Sequence, residues 1–152
     1  IAQLLRQKGC QNLLVDIGGE VVAQGVNHQG NAWRVGITRP TIDATGAEKE
    51  LQEVIASSDL CMATSGNYRN FYYKDGKRFA HTINPETGYP VEHSLLSATV
   101  LADNCATADA YATAFMVMGL EKAKVSLSLP LSIPVTFMLF ITTICALPMF
   151  SE

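Results

Sequence analysis

The chain has 152 residues, of which 48% are hydrophobic and 16% charged, enough for one domain with a closed core, which excludes a disordered chain. A formal net charge of -3, with no run of Lys or Arg, excludes the basic footprint of a nucleic-acid binder. Four cysteines, Cys10, Cys61, Cys105 and Cys145, form no C-x-x-C pair and have only three histidines to join them, so a zinc site is disfavoured and each Cys reads as a small buried hydrophobe.

In chain order, "IAQLLRQKGC" reads as the end of a helix closed by Gly9, as in a fragment of a longer protein. "NLLVDI" (12–17) is a short apolar strand that stops at Gly18 and Gly19. A second strand runs from Glu20 to near Gly25, and "AWRVGI" (32–37) is a third, ending before Pro40. The polar segment 41–50 reads as a loop. Strands are expected around Leu51 to Ala56 and Asp59 to Thr64. Aromatic runs flank Asp75-Gly76, a dipeptide that accepts positive φ, and predict a hairpin. A turn-rich loop, "NPETGYP", precedes a strand over 97–102. A helix then starts between Asp103 and Thr107 and ends at Met118 with Gly119 as its cap, and a shorter helix follows from Glu121. Strands dominate and the helices lie to one side, so the fold class is α+β or mixed α/β, with no domain boundary.

From Val125 to Ser151 no charged residue occurs, which raises a membrane anchor over 131–150. Three prolines interrupt the stretch, and β-branched and aromatic residues fill Val135 to Ile144, a composition that favours buried strands.

Four places hold candidate chemistry. Asp109 and Thr113 stand four positions apart on one face of an alanine-rich helix that otherwise reads as built to be buried, where small neighbours admit a bulky group. A carboxylate and a hydroxyl suit Mg²⁺, which takes oxygen ligands and shares itself with phosphates. If Thr107 caps the helix, however, Asp109 lies in the first turn and serves the helix dipole by about 0.3–1 kcal/mol, while Thr113 bonds back to the preceding turn. His81 precedes a turn built on Asn84-Pro85 and Thr87-Gly88, which displays the imidazole at a loop edge, although a lone histidine is more often structural. Gly18 and Gly19 let a ligand lie against the backbone or simply make a tight turn. "ATSGNYRN", with Ser65, Tyr68 and Arg69, offers contacts for a phosphate or a flavin edge, or begins a strand.

Taken in order, "LVDIGGEV", "WRVGI" with Pro40, "ATSGNYRNFYYKDGKRFAHTINPETGYP", "SATVLA" and "ATADAYATAFMVMGLEKA" resemble the FAD:protein FMN transferase family, the ApbE-like or thiamine-biosynthesis lipoprotein family, from residue 1 to about 124. The family commonly has an acid where Asn67 stands. The resemblance implies an ApbE-like, T-fold-related partial domain in which 1–152 is the C-terminal portion and the N-terminal half is missing. It implies that FAD is the substrate and that Mg²⁺ bridges its pyrophosphate to Asp109, Thr113 and the carbonyl of Ala112. Thr82 and the backbone of Ile83 would line the flavin nucleotide, with Gly18, Gly19 and Ser65 as further contacts, and His81 would sit close to the reacting phosphate. The implied reaction transfers FMN to a Thr or Ser hydroxyl of a partner protein and releases AMP. Cleavage of FAD by water, or a non-catalytic flavin-binding module, are the alternatives. A lipid anchor on the missing part would hold the parent on the periplasmic side of the inner membrane.

Overall fold

The computed structural model of the chain describes residues 1–40, 51–68, 71–128 and 138–143. Helix α1 (Ala2–Gln7) leads into β1 (Leu13–Ile17), β2 (Glu20–Gln24), β3 (Trp33–Thr38), β4 (Leu51–Ser57), β5 (Asp59–Gly66), β6 (Phe71–Lys74), β7 (Lys77–Ala80) and β8 (Leu95–Leu101). Helices α2 (Cys105–Met118) and α3 (Leu120–Ser128) follow, and β9 (Met138–Thr143) completes the described elements. The sheet order is β1-β2-β5-β8-β9, and among the described residues every pairing is antiparallel with no parallel crossover, which makes the fold α+β. Two small antiparallel ribbons, β3–β4 and β6–β7, stand apart from that sheet.

The sheet buries both faces, and the side-chain alternation of its strands sorts residues between two cores. On one face α2 lays Ala108, Ala112, Phe115 and Met116 over Ala63, Ala98 and Val100. Those helical positions follow the i, i+4, i+7, i+8 spacing of a core-facing stripe. On the other face Val21, Ala23, Leu60 and Met62 meet Ile37 of the β3–β4 ribbon, with Trp33, Val35 and Ile55 beside them. Strand β8 lies between the two cores and is buried from Leu95 to Val100. The indole N–H of Trp33 donates to the carbonyl of Gln24 at 2.9 Å, which ties the ribbon to β2.

Both hairpin turns follow from their residues. Gly18 and Gly19 have φ of 73° and 112°, and Asp75 and Gly76 have φ of 52° and 74°. Two successive left-handed residues match the twist of the flanking strands. Helix α2 is capped by Asn104, whose Oδ1 accepts the N–H of Thr107 at 2.8 Å, and it closes at Gly119.

Several expectations need correction. The alternative in which Thr107 caps the helix and Asp109 serves its dipole falls: Asn104, within the expected start at 103–107, takes the extended backbone an N-cap needs, and Asp109 lies beyond the first turn. Not all the alanines of α2 are buried: Ala106 and Ala110 are exposed, since an apolar residue small enough to cost little in water gives no sign of which way it faces. Residues 125–128, read with the apolar tail, belong to α3, which begins at Leu120. Cys10 is exposed and Cys61 and Cys105 are half-buried, so the buried reading fails for the first and holds only in part for the others. The expected strands of the apolar tail are met by β9, which pairs with β8. The rest of that tail, including most of the supposed anchor and Cys145, lies outside the described residues, as do the polar loop 41–50 and Arg69. Among the described residues no helix is long and apolar enough to cross a membrane.

Candidate functional site

The register of β5 opens the site. Strand β2 pairs with Asp59–Met62 of β5, whereas β8 pairs with Met62–Gly66, so the last residues of β5 keep one flank free of β2. A cleft of about 670 Å³ lies there. Its walls come from the β1–β2 hairpin tip, the β3 stretch from Val35 to Thr38, the end of β5, the loop after β7, and α2.

Four of the five walls carry residues the sequence had singled out. Gly18 and Gly19 form the tip, and Gly19 is held beside β5 at a φ of 112°, where a Cβ would meet the carbonyl oxygen of Thr64 only in ordinary contact at 3.8 Å. Asp16 braces the tip by accepting the N–H of Gly19 on Oδ1 at 3.3 Å. Ser65 and Thr113 meet across the boundary between β5 and α2, their hydroxyl oxygens 2.9 Å apart. His81, directly after β7, lines the cleft and is exposed, as its turn-rich context predicted. Thr82 lines it too, and its hydroxyl donates to Oδ1 of Asn67 at 2.6 Å. The cleft therefore brings together Gly18, Gly19, Ser65, His81, Thr82 and Thr113 from distant parts of the chain.

Three candidates lie outside its lining. Asp109 is exposed one turn before Thr113 on α2, and Ala112 is fully buried against the sheet. Ile83 is exposed, in a bridge with Pro90. Asp109, Ala112 and Thr113 share the i, i+3, i+4 face of one helix. The Ala112 carbonyl belongs to the helical ladder, which leaves one lone pair for another partner. Among the described residues no three His, Cys, Asp or Glu side chains converge. A cation held on this helix would thus rest on one carboxylate, a hydroxyl and a carbonyl, with water or substrate oxygens completing its shell. That hard, sparse donor set fits Mg²⁺ and does not fit zinc.

The sequence reading missed the β3 wall and Asp16. One signal was available for β3: Gly36 sits inside a strand, where glycine marks a close approach. A Cβ on Gly36 would lie 2.7 Å from the Cδ2 atom of Leu51, so the exposed Leu51 side chain packs over the space that glycine leaves open. Tyr68, singled out with Arg69, lines the cleft. The half-buried thiols beside the site are not poised to attack: burial pushes Cys61 up, and burial, then the neighbouring Cys61, pushes Cys105 up to about 11. The Cys105 thiol instead donates to the carbonyl of Val21 at 3.2 Å.

The antiparallel α+β fold of the described residues is similar to that of solved flavin transferases. The flavin transferase ApbE from Vibrio cholerae superposes with a TM-score of 0.69 at 36% identity, over 93% of this chain and 45% of that one. The apo flavinyl transferase ApbE from Pseudomonas stutzeri gives 0.66 at 36% identity, over 80% and 36%. The ApbE family profile matches residues 1–136, and the chain belongs to the ApbE family. It is 43% identical over 122 residues to an FAD:protein FMN transferase of Vibrio cholerae, and 44% identical over 124 residues to one of Escherichia coli. These matches take in 80% and 82% of the chain but only 35% and 34% of the two relatives, so it spans about a third of their length.

Proposed function

We propose that this chain is the C-terminal portion of an FAD:protein FMN transferase and holds the diphosphate end of FAD. The observation that carries the reading is the convergence of Gly18, Gly19, Ser65, His81, Thr82 and Thr113 on one cleft, whose 670 Å³ falls within the range of small-molecule sites. The glycine tip offers backbone against which a dinucleotide can lie, and whichever hydroxyl of the Ser65–Thr113 pair accepts from the other keeps its own proton for a phosphate oxygen.

In the proposed reaction a Thr or Ser hydroxyl of an acceptor protein attacks the phosphorus of the FMN half. A new O–P ester bond forms, the P–O bond to the AMP half breaks, and AMP leaves with the bridging oxygen. His81 receives the proton of the attacking hydroxyl, a contribution of about 10²- to 10⁴-fold for a well-placed base. Bound at Asp109, Thr113 and the Ala112 carbonyl, Mg²⁺ would neutralise the diphosphate charge. The backbone of Ile83, just beyond Thr82, is assigned to the flavin nucleotide by family resemblance. The periplasmic, lipid-anchored setting of a family-length parent belongs to the same reading.

The test is a mixture of the protein, FAD, Mg²⁺ and a flavin-acceptor domain, followed by in-gel flavin fluorescence and AMP analysis. A fluorescent acceptor band with matching AMP is expected, and Asp109→Ala should abolish both. Undiminished transfer by Asp109→Ala would remove the metal assignment. AMP released equally fast without acceptor would make the protein an FAD pyrophosphatase, and tight FAD binding with no AMP would make it a binding module.

A further inference from the structure

The described part of the molecule buries three polar side chains: Asn67, Ser97 and Thr99. Thr99 is matched by Thr64 across the β5–β8 pair, their hydroxyls 2.8 Å apart, which accounts for it inside the sheet. Asn67 is different. It follows the last residue of β5, is only 5% exposed, and reaches away from the sheet to a loop that comes back fifteen residues later.

Its two ends do separate jobs. The backbone N–H of Asn67 donates to the carbonyl of Leu96 at 2.8 Å, extending the β5–β8 ladder one residue beyond Gly66 and fixing Asn67 to the sheet. Its side-chain Oδ1 accepts the Thr82 hydroxyl at 2.6 Å, a short bond in a partly buried position. Thr82 opens a loop that holds itself together. The Thr82 carbonyl accepts the N–H of Val91 at 3.0 Å, Asn84 N–H donates to Tyr89 at 2.9 Å, and Gly88 N–H donates back to Asn84 at 2.8 Å. A loop closed by its own backbone bonds moves as a unit, and the bond from its first residue to Asn67 ties that unit to the end of β5.

His81 is the residue before Thr82, about 3.8 Å away along the chain between Cα atoms, and both line the cleft. A shift of Thr82 must carry His81 with it, and a misplacement of about 1 Å is enough to cost roughly 10²-fold in a reaction that depends on alignment. We infer that Asn67 is a positioning residue for the proposed transfer reaction, and on that reading it acts through the Thr82 hydroxyl to hold His81 at the cleft.

The inference has a test that does not require turnover. Amide hydrogen exchange in Asn67→Ala should speed by about ten-fold or more at Asn84 and Val91. The N–H of Ala102, which donates to Cys61 within the sheet at 3.0 Å, should exchange as before. Thr82→Val should reproduce the effect, the double variant should be no worse than either single one, and Asn67→Asp, which keeps an acceptor oxygen, should restore protection. With FAD and acceptor, Asn67→Ala should lower kcat by about 10- to 100-fold with little change in KM for FAD, and Asn67→Asp should recover most of it.

Unchanged exchange at Asn84 and Val91 would overturn the proposal. So would acceleration that includes Ala102, additive costs in the double variant, or failure of Asn67→Asp to restore protection. Normal kcat in a variant whose loop exchanges faster would also overturn it, because the strut would then not place His81. If the exchange pattern holds while even the wild-type protein transfers no FMN, the transfer reading fails and the link from Asn67 through Thr82 to the loop stands.

Discussion

Helices α2 and α3 are consecutive in the chain, yet they treat solvent differently. The outer face of α3 carries Glu121, Lys122 and Lys124, with the Lys124 ammonium 3.2 Å from the Glu121 carboxylate, a common way to keep a surface helix wet. The exposed positions of α2 hold Ala106, Asp109, Ala110, Thr113 and Met118, with no Lys or Arg. A helix that leaves small residues, one carboxylate and one hydroxyl in water is not dressed for solubility. Under the proposed function that face is covered when substrate and cation arrive, and the alanines are the room they need.

The contrast can be broken by substitution, starting from the inner face of α2. Phe115 is fully buried between the helix and the sheet, and Phe115→Ala should cost about 3–5 kcal/mol in urea unfolding. Val125, on α3 and 61% exposed, should lose no more than about 0.5 kcal/mol when changed to Ala. Equal losses would mean that α2 is no better anchored than α3. Next in size is the cap. Asn104→Ala removes the acceptor of the Thr107 N–H and should cost about 1 kcal/mol, with Asn104→Asp close to neutral.

How legible α2 was depends on which feature is asked about. Its length followed from an Asx residue before an apolar run and a glycine after it, both local signals. The two hairpin turns were equally local. The orientation of α2 was hidden because alanine satisfies a buried or an exposed position, and the pattern near Asp109 read as buried throughout. Sites assembled from distant strands were harder still: β5 meets β8 across the whole aromatic hairpin and histidine loop, and nothing in the spacing says that Ser65 will face Thr113. Asp16 and the β3 wall belong to that class, since their place in the cleft comes from sheet order and ribbon packing. Resemblance to a family named the site residues; the fold shows which of them share a wall.

A smaller effect belongs to the base of α2, where Cys105 opens the helix. Its thiol is pushed up to about 11 from an ordinary 9.0, mainly by burial, so the folded state holds this proton more tightly than the unfolded chain does. The stabilisation is present below pH 9 and is lost as pH rises towards about 11. Burial raises Cys61 as well and acts with the same sign. Unfolding midpoints taken at pH 8 and pH 10.5 should therefore fall more for the wild-type protein than for Cys105→Ala. Parallel falls would show that the half-buried thiol is solvated well enough to titrate as it does in the unfolded chain.

The smallest stability effects return to the two outer faces and make the comparison sharpest. Glu121→Gln removes the i, i+3 ion pair of α3 and should cost about 0.2–0.5 kcal/mol, less in high salt. Asp109→Asn neutralises a carboxylate that is equally exposed but lies past the first turn of its helix, so its stability should change by no more than about 0.5 kcal/mol. The two variants part company in calorimetric titration with FAD. Glu121→Gln should bind as the wild type does with or without Mg²⁺, whereas Asp109→Asn should lose the Mg²⁺-dependent part of its affinity. If Asp109→Asn instead unfolds as readily as Asn104→Ala and binds normally, the carboxylate is a structural feature of α2 and the bare face needs another explanation.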